Sequence, residues 1–265
     1  MSADLHHYPP NPDYGGGVFR RRIAYERKAC GAQISLLDEY HDMAMAIVLA
    51  EGVISDVRAR MDRYPKTSCQ GAMAALGMLK AQPAAAALGS LSALDRSSHC
   101  THLVDLARLC LGWLLRDEPD AVIEVALTDR DPGGCQRLDV RKNGTVVVAW
   151  VLQDEILAEP RAYQGQSLFG GFSRWVTEQF DAAEAELWRI AQMAVFVARG
   201  RAYIVDSPVP RRVSEEPLRR GACYSFSGAR FETAYDNMDY VRDMSDGLPP
   251  LEAATSPCAR EGEAQ

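Results

Sequence analysis

The chain has 265 residues, of which 47% are hydrophobic and 25% charged, and its formal net charge is −7. Those proportions belong to a globular chain with a core and exclude a disordered, collagen-like or coiled-coil protein. An acidic chain is a poor general binder of phosphate backbones, which requires clustered Lys and Arg, so nucleic acid is not an expected partner.

The start, MSADLHHYPPNPDYGGG, has neither a basic n-region nor an apolar h-region, and no apolar run approaches the ~20 residues of a membrane helix. The expectation is a cytoplasmic chain with no membrane partner. Its seven cysteines then read as small buried side chains, ligands or nucleophiles.

Residues 1–18 are rich in Pro, Gly and Asn and read as a flexible arm. A core domain is expected over 19–206. A C-terminal extension, 207–265, opens with three prolines and becomes a loose tail from about 245. In the core, 32–39, 43–50 and 53–63 read as strands, the last two joined at Glu51-Gly52. Helical text follows over 69–80, then from Pro83 through the 84–87 alanines. A third helix spans about 100–115, with Leu103, Leu106, Leu109 and Trp113 on one face and Ser97 or Ser98 as its cap.

The second half repeats the scheme. Residues 121–129 alternate as a strand, and 136–142 and 145–153 flank Asn143-Gly144, a strong hairpin signal. One long helix is expected over 173–198, with Trp175, Val176, Phe180, Leu187 and Ile190 at helical spacing. Strands followed by helices, twice, predict an α+β fold: an antiparallel sheet with helices on one face, a pattern that would suit a duplicated strand-strand-strand-helix unit.

Five histidines are present, and three of them, His41, His99 and His102, fall in the core among ligand-type residues. Cys69 opens a helix, and His99, Cys100 and His102 open the next. A cysteine at a helix start has its thiolate favoured by the helix dipole. Histidines at i and i+3 project from one helix face. Thiolate and imidazole together suit zinc or iron. Against this stands the plainer reading, that each cysteine is a small buried side chain. Arg20, Arg21 and Arg22 read as a solvated strand edge, with a clamp for a substrate carboxylate or phenolate as the functional alternative. Tyr224, Phe226, Phe231, Tyr235 and Tyr240 suit a segment packing back on the core, a lid over an aromatic substrate, or a subunit interface, which would make a homodimer.

Three motifs carry a resemblance: His41-Asp42-Met43 before a strand, Pro65 and Cys69 after the next, and Cys100-Thr101-His102-Leu103 opening a helix. Over roughly 20–200 this resembles a bacterial family catalogued as domain of unknown function 2889. That resemblance implies a catabolic enzyme, a lyase on a small, lignin-derived or similar aromatic. The pattern is also similar to iron–sulfur scaffold proteins of the NifU type, on Cys69, His99-Cys100 and Asp42. Tyr40-His41-Asp42 stands where that family has Cys-Gly-Asp, and exchanging a thiolate for an imidazole favours a mononuclear site.

The leading expectation is therefore a lyase with one divalent metal, zinc or iron, acting on a small molecule. His41, Cys69, Cys100 and His102 would be ligands, with His102 or His99 moving protons and Asp42 orienting His41. The alternatives are a zinc or iron–sulfur carrier without turnover, a hydrolase with a cysteine nucleophile, and a protein whose thiols are only buried.

Overall fold

A computed structural model describes residues 8–206, 208–216 and 220–251. Eight antiparallel strands form one sheet: β1 (Val18–Lys28), β2 (Gly31–Asp38), β3 (Asp42–Ala50), β4 (Val53–Arg63), β5 (Ala121–Thr128), β6 (Cys135–Lys142), β7 (Thr145–Gln153) and β8 (Ile156–Glu159). Their order is β4-β3-β2-β1-β5-β6-β7-β8. Each half is a meander, and the halves join at the centre, where β1 pairs with β5 and Ile23 lies opposite Ile123. The fold is α+β, as the alternation of strand and helix text predicts. Asn143 and Gly144 both take positive φ, the conformation a two-residue hairpin turn requires.

The helices that cover the sheet are α2 (Thr101–Leu115) and α4 (Ala182–Ala198), with α1 (Ala84–Ser90) and α3 (Phe172–Gln179) before each, and a four-residue helix, α5 (Arg230–Thr233), lies in the C-terminal extension. α2 packs over β2 and β3, and α4 over β5, β6 and β7, on the same face of the sheet. Alternate strand residues point into this layer: Ala121, Ile123, Val125 and Leu127 are all buried. Leu103, Leu106, Cys110 and Leu111 of α2 and Trp188, Ala191 and Ala194 of α4 close over them in one continuous core.

Four details depart from the expected elements. β1 is a central strand of eleven residues, where only a charged edge was expected. β8 adds a fourth strand to the second half, so each unit is four strands and not three. Residues Cys69–Leu79 form a 3-10 helix. The long helix is two, because Phe180 is extended and the Asp181 side chain accepts from the Glu184 N–H to start α4 anew.

The expected arm divides. Residues 1–7 lie outside the described residues. Tyr8 is buried, Asn11 N–H donates to the Ala202 carbonyl, and Gly17 N–H donates to Asp129, so 8–17 is docked. The C-terminal extension lies on the core. Lys66 pairs with Glu216 and Asp236 in a buried triad over the Phe226 ring. Tyr240 is buried beside Tyr40, and Arg22 donates to the Pro249 carbonyl. The rest of the expected tail, 252–265, lies outside the described residues.

Candidate functional site

A cavity of about 420 Å³ opens between α2 and α4, above β1 and β2. That is the size of a small-molecule pocket. Its walls are mostly apolar, with Ile23, Leu36, Leu106, Leu109, Phe180 and Ile190 among them. The helical repeat places it: His102, Asp105, Leu106 and Leu109 line up at i, i+3, i+4 and i+7 along α2. Ala182, Ala185, Glu186 and Arg189 do the same along α4.

The floor carries charge. Arg21 projects inward from β1 among Phe19, Ile23 and Tyr25 and is 1% exposed. A buried guanidinium needs a partner, and Asp38 at the end of β2 supplies it: Arg21 Nε and Nη2 donate to Asp38 Oδ2 at 2.9 and 2.6 Å. The other carboxylate oxygen, Oδ1, accepts from the Tyr40 and His41 backbone N–H groups, each at 2.8 Å, and from His41 Nδ1 at 3.0 Å. Burial would raise the Asp38 pKa. His41 and Arg21 outweigh it and hold the carboxyl far below its usual range.

The β2–β3 turn that presents these groups is held from below by Arg63, which donates to the Asp38, Glu39 and His41 carbonyls. The His41 ring lies against that of His102, with centroids 4.3 Å apart and planes 35° from parallel. His102 Nε2 is buried without a hydrogen bond among the described residues. Burial, then His41 and Arg21, push the His102 pKa well below 6.5, so the ring is neutral near pH 7.

The predicted site residues separate into two groups. His41 and His102 meet. Cys69 and Cys100 lie in a different cluster, in electrostatic reach of one another and of Cys223, where Cys69 Sγ is 3.4 Å from Ser225 Oγ. Cys100 caps α2 through its backbone only two residues before His102, but its side chain belongs with the thiols. Burial pushes Cys69 up to about 11 and Cys100 up to about 12. His99 is buried, with Nδ1 unpartnered among the described residues and a pKa lowered by burial. Its carbonyl accepts from Tyr224 N–H.

Asp42 opens β3, and the role expected for it, orienting His41, falls to Asp38. Among the described residues, no three His, Cys, Asp or Glu side chains are grouped so as to hold a metal ion. The donor set His41, Cys69, Cys100 and His102 is thus not grouped at one point among the described residues: His102 lines the cavity with His41 against its ring, and Cys69 and Cys100 lie with Cys223 of the C-terminal extension.

Sequence reasoning misses Asp38, Asp105 and Arg189. Asp38 has a local signal, an Asp three residues before His41 at a strand end, where a carboxylate can accept backbone N–H groups of the turn. Arg21 stands in the sequence as a clamp only in the second rank, behind a solvated strand edge. No family model, curated protein or solved structure matches the chain.

Proposed function

We propose that the cavity binds a small, largely apolar molecule and that His102, backed by His41 and Asp38, moves a proton on it. The observation that carries this reading is one array, Arg21–Asp38–His41–His102, that meets an apolar cavity at both ends. A neutral imidazole with no protein partner has a proton-accepting nitrogen to offer.

This chemistry suits a lyase. His102 takes a proton from carbon, and the electron pair of that C–H bond forms the new double bond. The leaving group departs with its bonding pair and takes up a proton, as water if it was hydroxide. Walls of Leu, Ile and Phe accept an aromatic or aliphatic body. A cysteine nucleophile has less support, because buried thiols at about 11 and 12 are almost wholly protonated near pH 7. The metal-dependent and carrier readings would need donors beyond the His41–His102 pair.

The test is proton exchange and elimination followed by NMR in D2O, with a panel of hydroxylated alkyl- and aryl-alkanoic acids and their amides that differ in the distance from hydroxyl to carboxyl group, after chelator treatment. Deuterium incorporation or alkene formation by the native chain, reduced at least ~100-fold in His102→Gln, supports the reading. Turnover that survives His102→Gln would falsify it. Turnover that appears only when zinc or iron is restored would replace it with the metal-dependent version.

A further inference from the structure

Resting on the reading of the cavity as a ligand site, we infer that its ligand is a carboxylate and that Arg189 on α4 is the residue that selects it.

Most of the charges around the cavity already have partners. Arg21 is neutralised by Asp38. Asp105 is paired with Arg108 at 3.3 Å. Glu186 accepts from Trp113 Nε1 at 2.9 Å and from Arg116 at 3.1 and 2.7 Å. That leaves Arg189. Its Nη2 donates to the Thr177 hydroxyl at 2.6 Å and to the Ser173 carbonyl at 3.5 Å, both neutral acceptors on α3. Among the described residues it makes no ion pair. The residue is half-buried, and burial lowers its pKa, with the Arg108 charge acting the same way and Glu186, one turn earlier on α4 and engaged by Arg116, opposing it.

A guanidinium carries five N–H donors in a rigid fork that fits both oxygens of a carboxylate. The Thr177 contact fixes the side chain in place while most of those donors stay unused. Holding a cation unpaired on a mostly apolar wall is unfavourable, and an incoming carboxylate relieves it. A ligand with its carboxylate at Arg189 lays its apolar body along Leu106, Leu109 and Ile190. Its far end then meets Arg21 and His102, where the proposed proton transfer takes place. Arg108 borders the same cavity from α2 and adds a second positive charge, but Asp105 already engages it. The substrate class is thus an aryl- or alkyl-alkanoic acid with a polar group distant from its carboxylate.

The experiment is calorimetric titration of the full chain with benzoate, phenylacetate, 3-phenylpropanoate and their 4-hydroxy derivatives, each beside its primary amide. The expected result is binding of at least one acid about 10- to 100-fold tighter than its amide, the span a charge-assisted hydrogen bond gives. Arg189→Gln removes that preference while amide binding stays. Arg189→Lys, with the charge but not the fork, recovers part of it. Arg108→Gln changes acid binding less than about threefold, because its charge is already paired. Equal binding of acid and amide, or an acid preference that survives in Arg189→Gln, overturns the role of Arg189 and leaves the cavity reading intact. Absence of binding by every acid and every amide overturns both.

Discussion

Two of the buried charged clusters among the described residues are built to different ends. Lys66 with Glu216 and Asp236 is closed: one ammonium meets two carboxylates and ties the C-terminal extension to the segment before the 3-10 helix. Arg21–Asp38–His41–His102 is open. Every acceptor position described for Asp38 is used, yet the chain ends in an imidazole nitrogen with no partner among the described residues, beside a cavity. Both clusters bear the cost of desolvating charge. The first has nothing left to offer a ligand. The second leaves a ring nitrogen of a cavity-lining histidine without a partner among the described residues, and that separates a structural device from a candidate site.

The largest expected effect tests the closed cluster. Lys66→Met leaves two carboxylates buried without a cation, and urea unfolding should show a loss of about 3–5 kcal/mol. Ligand binding by the protein that remains folded should not change. If Lys66→Met costs less than about 1 kcal/mol, the triad is not a structural clasp.

The open cluster should behave in the opposite way. His102→Leu removes a buried nitrogen that has no partner, so stability at pH 8 should change by less than about 1 kcal/mol or rise, while proton transfer is lost. Its pH dependence has a definite sign. The unfolded chain protonates His102 near 6.5, and the folded chain only well below that value. Below about 6.5 the unfolded state binds more protons, so the native chain loses stability as pH falls. His102→Leu should lack that part of the acid loss. Unfolding curves at pH 8, 6.5 and 5 that fall in parallel for the two proteins would contradict a neutral His102.

The smallest effects are expected at the thiols. Cys69→Ala and Cys100→Ala should each cost about 1–2 kcal/mol by lost packing and leave ligand binding and turnover in place. Native protein at pH 8 should resist iodoacetamide at both positions, because the thiolate fraction is small. Rapid alkylation, or loss of turnover in either variant, would restore these cysteines to the site.

Much of the fold is legible in the sequence, and the gaps have physical causes. β5, with alternate residues buried, and the Asn143-Gly144 hairpin carry period-2 and turn signals that need no tertiary information. β1 is hidden because Arg21 sits at an inward position, where the alternation of VFRRRIAYERK calls for an apolar side chain. The residue that spoils the pattern is the one that makes the floor of the cavity polar. Local rules fail where a fold holds a buried charge. The break before α4 is present in Asp181, but the helical spacing of the apolar residues continues through it.

Of the site, the pairing of His41 with His102 can be anticipated from strand-end and helix-start positions. The separation of Cys100 from His102 cannot, since it depends on which way each side chain leaves the first turn of α2. Arg189 gives no sequence signal, because what distinguishes it is the lack of a counter-ion among the described residues, a property of three dimensions.

The central pairing of β1 with β5 has a consequence for biosynthesis. β1 precedes its partner on the ribosome, and the stretch from Ala121 onward follows about a hundred residues later. Until then the edge of β1 from Val18 to Tyr25 stays unpaired, a template for wrong strands. The cavity shares this dependence, since α2 comes from the first half and α4 from the second. Neither half holds a complete binding wall, so the ligand can stabilise the chain only at the last step of its maturation, once both halves have closed around β1.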